Sequence, residues 1–126
     1  MKEPSKIIIA TTSKASKIDV KKLQQKGFRV IITKSNKGMV DLKELMKELG
    51  RMEIMTVMIE GGAQVNSSAI SEGIVDKVLI FTAPKIIGNG KGAIGNLGIK
   101  KIRNAINIKN PEMKKIGKDL LIEGYL

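Results

Sequence analysis

Short apolar runs alternate with longer amphipathic stretches along this chain. Four of the apolar runs predict strands, at residues 7–11, 28–34, 54–60 and 77–84. The third run, IMTVMIE, is continuously apolar with no polar alternation, which is typical of a strand covered on both faces. The fourth, KVLIFTAP, is closed by a proline and predicts a further buried strand.

The amphipathic stretches predict three helices. Asp19 is a candidate cap for the first, and Asp41 with Glu44 forms the sequence of a capping box for the second. The third is expected over about residues 64–72. A glycine follows or closes each one, as is common at helix ends, and these glycines are Gly27, Gly50 and Gly73.

Strands that alternate with helices predict an α/β fold with a mostly parallel sheet. The end of the chain differs, because residues 85–102 are rich in glycine and predict a long loop. Residues 104–110 and 113–126 then predict strands with no helix between them and a tight turn at 117–119, which indicates a C-terminal antiparallel hairpin. The length of 126 residues favours a single domain over 1–126.

Two absences restrict the chemistry. The chain contains no Cys and no His, so disulfides, thiolate or imidazole metal ligands and Ser-His or Cys-His relays are excluded. We assign no metal site and no catalytic side chain. A bound organic cofactor could supply the reactivity instead. No run reaches the length of a membrane span or of a secretory signal, so a cytoplasmic location without a membrane partner is expected.

The net charge of +11 suits phosphorylated small molecules or nucleic acid. The lysines are scattered singly or in pairs, and no block forms a basic arm. The aromatic residues are limited to Phe28, Phe81 and Tyr125, which are too few for a platform that stacks bases. Nucleic acid is therefore not the expected partner.

The segment EGG at residues 60–62 is the main candidate for chemistry. A strand, glycines and then a helix place backbone N–H groups and the positive helix end at the carboxyl edge of a parallel sheet. Gly61 and Gly62 would let the backbone approach a pyrophosphate, and Gln64, Asn66 and Ser67 could add donors from the first helical turn. The alternative is a tight connection that needs only the backbone freedom of glycine.

Three neighbouring features are open to a functional and a plain interpretation. The segment GNGKGA, residues 88–93, matches a dinucleotide-binding pattern, but no helix is expected after it, so a surface loop is favoured. Glu60 is either a turn acid at the sheet edge or an acceptor for a substrate hydroxyl or amine. Asp76 and Lys85 are interpreted as surface or structural residues.

The central part of the sequence contains three motifs in order, Glu60-Gly61-Gly62, Gly73-Ile74-Val75-Asp76 and Ala83-Pro84-Lys85-Ile86-Ile87-Gly88. Through these motifs the chain resembles, over essentially its whole length, the C-terminal reductase domain of the bacterial bifunctional riboflavin-biosynthesis deaminase/reductase. The final segment, IGKDLLIEGYL, also resembles the last hairpin of that family.

The resemblance implies a three-layer fold similar to dihydrofolate reductase, with helices on both faces of the sheet. It implies that NADPH transfers hydride to the ribosyl C1 of 5-amino-6-(5-phosphoribosylamino)uracil, which gives the ribitylamino product. Glu60 would contact the substrate's sugar. The implied cofactor-binding residues are Gly61, Gly62, Ala63, Gln64, Val65, Asn66 and Ser67.

Members of this family carry an earlier half of the reductase domain and a zinc deaminase domain, which are expected partners of this chain. The isolated chain is expected to be inactive and to form a homodimer or a higher oligomer through its exposed strand edge. Two other classes of function remain open. One is a scaffold or oligomerisation fragment, and the other, less favoured, is a basic nucleic-acid-binding module.

Overall fold

The computed structural model describes residues 6–126 of the chain. The chain forms two compact units, Met1–Met58 and Ile59–Leu126. The single domain expected over residues 1–126 stays a prediction. Each unit combines helix and strand, which agrees with the expected α/β class.

The first unit has the strand-helix alternation that the sequence predicts. Its strands β1 and β2 pair in parallel, with Ile8 opposite Arg29 and Thr12 opposite Thr33, and both helices of the unit contact β2. A short antiparallel ladder, β3 with β4, was not predicted. The elements are β1 Ile8–Thr12, α1 Lys17–Gln25, β2 Arg29–Thr33, β3 Ser35–Asn36, β4 Met39–Val40 and α2 Leu42–Arg51.

Helix α1 begins earlier than expected. Its cap is Ser16, whose hydroxyl accepts a hydrogen bond from the backbone N–H of Asp19. The prediction that Asp19 caps the helix was therefore wrong; Asp19 lies in the first turn, where its charge suits the positive helix end. Serine competes well with aspartate as a cap, so two candidates three residues apart are hard to separate by sequence.

Helix α2 is capped by Asp41, as predicted, with 2.9 Å from the backbone nitrogen of Glu44 to Oδ1 of Asp41. In a complete capping box the side chain of Glu44 would accept a hydrogen bond from the backbone N–H of Asp41, but here it has a different partner. The Glu44 carboxylate accepts from the backbone N–H of Lys34 at 2.5 Å, directly after β2. This contact connects the start of α2 to the end of the strand, which the local pattern did not indicate.

The end of α2 also differs from the prediction. Gly50 lies inside the helix, and the left-handed residue after it is Glu53, with φ of +62°. The backbone N–H of Ile54 donates to the carbonyl of Leu49 at 3.1 Å, as in a glycine-ended helix. A Cβ makes this conformation unfavourable for any residue except glycine.

We expect Glu53→Gly to stabilise the first unit by about 1 kcal/mol, because it removes the left-handed penalty at the helix end. Urea denaturation followed by circular dichroism measures the change. The control, Lys47→Gly, places glycine inside the same helix and should lower stability by about 1 kcal/mol. An equal loss from both substitutions would contradict this explanation.

Residues 54–60 do not form the buried strand that was predicted. They have no strand partner among the described residues, and the side chains of Met55 and Met58 are 94% and 73% exposed. A continuous apolar run becomes a buried strand only where neighbouring strands lie on both sides of it. The sequence pattern therefore indicates a buried strand, but the described residues provide no neighbouring strands to cover it.

The second unit contains a helix followed by a three-stranded sheet, with a 3-10 turn at Ile102–Asn104. The sheet order is β5-β7-β6, and both pairings are antiparallel. Among described residues only β1 and β2 pair in parallel, so the mostly parallel sheet is not seen. The elements are α3 Ala63–Ser71, β5 Lys77–Thr82, β6 Lys109–Ile116 and β7 Asp119–Tyr125.

Strand β5 was predicted to be buried, and this was wrong for the described chain. It pairs only with β7, and Leu79 and Phe81 are largely exposed. Like residues 54–60, β5 has the apolar composition of a strand that is suited to being covered on both faces.

The C-terminal hairpin is confirmed. Gly117 has φ of +60° at the predicted turn between β6 and β7. The earlier strand was predicted to begin at residue 104 but begins at Lys109, after the 3-10 turn. A pairing irregularity then falls between Lys109 and Glu112, where Asn110 has φ of +48°.

Charged side chains link all three strands of this sheet. Glu123 on β7 lies between two ammonium groups, with Lys114 Nζ at 2.5 Å from Oε1 and Lys77 Nζ at 3.0 Å from Oε2. Lys114 also contacts Glu112 at 3.1 Å, and Lys77 lies over the ring of Tyr125. Hydrogen bonds from Lys114 and then Lys77 lower the pKa of Glu123, and its carboxylate raises the pKa of both lysines.

This cluster predicts a pH-dependent stability. Because the pKa of Glu123 lies below its usual 4.5 in the folded state, its contribution is complete above pH 4.5 and is lost as the pH falls through the folded value. Glu123→Gln should therefore lower the urea midpoint at pH 7 and leave it nearly unchanged at an acid pH below the folded pKa of Glu123, where wild type has lost the same contribution. The control Asp119→Asn removes a carboxylate from the same strand, for which the structure shows no ion pair. An equal loss at both pH values would show that the ion pairs are not the cause.

Few apolar side chains are fully covered. The buried apolar residues among those described are Ala69 and Leu121, while many large ones lie exposed. In the part of the chain that the structure describes, no helix is long and apolar enough to span a membrane.

Candidate anion-binding site

The first turn of α3 follows the glycine pair directly, as the sequence predicts. Gly62 is the N-cap, and a glycine has no side chain with which to cap the turn. The carbonyl of Gly62 accepts from the backbone N–H of Asn66 at 3.1 Å, which closes the first turn. A helix start of this kind directs backbone N–H groups and a positive potential outward, which suits an anion.

The two glycines have different surroundings. A Cβ on Gly61 would lie 2.8 Å from Cβ and 2.9 Å from Cγ1 of Val65, so this position needs glycine to lie against the helix. A Cβ on Gly62 would meet nothing within 4 Å, and its φ of −70° is accessible to any residue. Nothing in the folded chain itself therefore requires glycine at 62. An approaching phosphate would require it, because a Cβ would occupy that open space.

Glu60 is exposed at the end of the unpaired segment and precedes the glycines. Its carboxylate is accessible to a ligand at the start of the second unit. The expected strand edge on which it would lie is absent among the described residues.

Two of the side chains that were expected to donate hydrogen bonds to a ligand, Asn66 and Ser67, donate to backbone carbonyls instead. Asn66 Nδ2 donates to the carbonyl of Ala93 at 2.8 Å, and the buried hydroxyl of Ser67 donates to the carbonyl of Gln64 at 3.0 Å. These contacts are within the protein. Gln64 and Val65 are exposed, and Ala63 is half-buried.

The structure brings together two glycine-containing segments that the sequence analysis considered separately. The loop that includes residues 88–93 opens no helix, so its match to the dinucleotide pattern has no structural basis. The next residues of this loop contact α3, with 3.0 Å from the nitrogen of Gly95 to the carbonyl of Ala63. Sequence reasoning missed Ala93 and Gly95, and no local signal identifies a contact across 27 residues.

The loop also brings positive charge. From residue 77 to residue 111 the sequence contains no Asp or Glu. Between β5 and β6 the basic residues of this stretch are Lys85, Lys91, Lys100, Lys101 and Arg103, while Lys77 and Lys109 belong to the two strands themselves. An acid-free loop that contacts the start of α3 makes the potential there more favourable for an anion.

These features define a class of protein: an α/β chain in which a glycine-started helix and a basic loop form a candidate site for an anionic ligand. The chain belongs to the RibD C-terminal domain family, which residues 1–122 match. The resemblance stated from the motifs is thereby confirmed.

Similar proteins support this assignment. The chain is 36% identical over 120 residues to the riboflavin biosynthesis protein RibD of Aquifex aeolicus, covering 95% of this chain and 32% of that protein. It is 33% identical over 118 residues to the 2,5-diamino-6-ribosylamino-4(3H)-pyrimidinone 5′-phosphate reductase of the same organism, covering 92% of this chain and 52% of that one. The chain thus spans about a third to half of these relatives.

Solved structures share the fold. RibD of Acinetobacter baumannii matches with a TM-score of 0.79 and 18% identity, over 98% of this chain and 32% of that one. A pyrimidine reductase-like protein of Corynebacterium diphtheriae matches with a TM-score of 0.66 and 24% identity, over 94% of this chain and 48% of that one.

Proposed function

We propose that this chain is the NADPH-binding portion of a 5-amino-6-(5-phosphoribosylamino)uracil reductase of riboflavin biosynthesis. The observation that carries the proposal is the glycine-started α3, whose N-cap has an open side where a Cβ would otherwise lie. Membership of the RibD C-terminal domain family supports the pathway, and the pyrimidinone phosphate reductase among its relatives supports the reaction.

The cofactor phosphates would lie against the residues 61–67. The backbone N–H groups of the first turn of α3 would bind the pyrophosphate, with Gly62 allowing close approach. When bound, NADPH would supply a hydride to the ribosyl C1; the bond from C1 to the ring oxygen would break, and a proton from water would neutralise that oxygen, which gives the ribityl chain. The protein would contribute to the reaction by placing and orienting the two reactants. Glu60 would accept a hydrogen bond from the sugar of the substrate.

The substrate class follows from the relatives' names. The Aquifex aeolicus reductase is named for a ribosylamino-pyrimidinone 5′-phosphate, and the other relative for riboflavin biosynthesis. We propose the deaminated uracil form as the substrate, following the relationship to RibD. A phosphorylated substrate and a phosphorylated cofactor both agree with the net charge of +11.

The proposal includes partners. The exposed apolar side chains on residues 54–60 and on β5 favour coverage by the remaining reductase strands or by a second copy of the chain. We propose a three-layer, mostly parallel sheet in the assembled enzyme, and a cytoplasmic homodimer or higher oligomer. The chain alone is expected to be inactive, because substrate contacts would come from the remaining reductase segment.

Melting temperature with NADPH, and with NADH as a control, tests the cofactor assignment. A ligand that binds only the folded chain adds about 2.7 kcal/mol of stability at a hundredfold excess over Kd. A shift with NADPH that exceeds the shift with NADH supports the proposal. No shift with either dinucleotide at millimolar concentration would contradict NADPH binding by this chain.

A scaffold or oligomerisation role is the second candidate, and the exposed apolar residues favour it. It predicts self-association without any effect of NADPH. Light scattering during size-exclusion chromatography, with and without NADPH, separates the two functions. Salt-sensitive binding to DNA or RNA would instead support the less favoured nucleic-acid role.

A further inference from the structure

The long glycine-rich loop, residues 85–102, contacts the first turn of α3, the turn assigned above to the cofactor phosphates. Within this loop every residue is exposed except Gly95 and Leu97, which are half-buried. The contact includes one of these two partly covered positions, so we expect it to help hold the loop in place.

Two hydrogen bonds of opposite direction make the contact. Asn66 of the helix donates from Nδ2 to the carbonyl of Ala93 at 2.8 Å, and Gly95 of the loop donates its N–H to the carbonyl of Ala63 at 3.0 Å. The two bonds engage loop residues that lie two positions apart. Together they restrict both the distance and the rotation of the loop against the helix.

The contact is close as well as bonded. A Cβ on Gly95 would lie 3.0 Å from Oγ of Ser67 and 3.1 Å from the carbonyl oxygen of Ala63. The hydroxyl of Ser67 is itself held by the carbonyl of Gln64. The position therefore accepts glycine, and a larger residue would push the loop away from the helix.

From this geometry we propose that Asn66 and Gly95 are positioning residues, which hold the segment 93–95 against α3 as one wall of the cofactor-phosphate site. The inference rests on the proposed function. The sequence analysis expected Asn66 to donate directly to the cofactor phosphate. In this inference its amide donates to the loop, and it affects the phosphate only by fixing the position of the loop.

The experiment is a double-mutant cycle on NADPH affinity, measured by titration on the full chain. The variants are Asn66→Ala, Gly95→Ala and the two combined, with Asn66→Gln to test whether a retained amide restores binding. Each single change should raise Kd by about five- to tenfold, the effect of one lost hydrogen bond or a displaced loop. Because both changes release the same loop, the double variant should be no weaker than the weaker single one.

Gly90→Ala is the matched control in the same loop, since a Cβ there meets nothing within 4 Å and should leave Kd unchanged. Amide hydrogen exchange without ligand adds a direct readout, because release of the loop should accelerate exchange at Gly95 in Asn66→Ala. Additive losses in the cycle would make Asn66 a direct phosphate ligand and overturn the inference, as would unchanged binding in Gly95→Ala. Failure of wild type to bind NADPH would overturn the proposed function, and with it this role, whatever the exchange shows.

Discussion

Replacing Gly124 with alanine is expected to lower the melting temperature of the second unit by about 5–10 °C. Gly124 lies in β7 opposite the irregular start of β6. A Cβ there would clash with Cγ2 of Ile108 and would lie 2.8 Å from the carbonyl oxygen of Lys109, whereas Cα of Pro111 would be at an ordinary contact distance of 3.4 Å. Because the carbonyl oxygen of Lys109 belongs to the backbone, a change of side-chain rotamer cannot remove the clash. Overpacking of this kind costs about 1–3 kcal/mol, and each kcal/mol corresponds to several degrees.

Thermal denaturation followed by circular dichroism measures this effect. Gly90→Ala is the control, because it makes the same chemical change in open space within the same unit. Its melting temperature should remain within about 1 °C of wild type. A wild-type melting temperature for Gly124→Ala would show that β6 does not approach β7 as closely as described.

The second large effect is expected at Gly62, where binding and stability should separate. In Gly62→Ala the ligand-free chain should lose less than about 1 kcal/mol, since its φ suits alanine and its Cβ would meet no atom within 4 Å. If the proposed function is correct, the NADPH-induced rise in melting temperature should disappear, because the added Cβ would occupy the space through which the pyrophosphate approaches. The loss would approach the full 2.7 kcal/mol or so expected for wild type at a hundredfold excess.

Gly62→Ser sharpens this prediction. Serine is a better N-cap than glycine, so the ligand-free variant should melt slightly above wild type. It adds a Cβ of the same geometry, so NADPH should still have no effect. Gly50→Ala, in α2 of the first unit, serves as the control and should retain the NADPH response. Wild-type NADPH binding by both variants at position 62 would exclude a close phosphate contact there.

Local signals predicted the elements well where a short-range interaction decides them. Asp41 caps α2, Gly73 ends α3 with φ of +65°, and Gly117 turns the final hairpin. In each case, residues close together in the sequence determine which backbone conformation forms. The parts of the candidate site that are contiguous in sequence, Glu60 to Ser67, could be proposed for the same reason.

Predictions that depended on distant partners were less successful. The apolar run at 54–60 and the strand β5 were expected to be buried, yet the described chain leaves both largely uncovered. Apolar composition reports that a strand is suited to burial, and neighbouring strands determine whether burial occurs. The predicted cap of α1 was also wrong, because serine and aspartate have nearly equal preference for the N-cap position and Ser16 lies only three residues before Asp19.

The sequence alone determined the class of fold, the glycine-started helix, the hairpin and the family, because these depend on residue type and local spacing. Only the tertiary structure decided that the loop at 93–95 contacts α3, and that Asn66 donates to this loop. It also distinguished Gly61, which a neighbouring side chain requires, from Gly62, which the folded chain leaves open. Such distinctions arise from distances between atoms far apart in sequence, and a one-dimensional pattern contains no record of them.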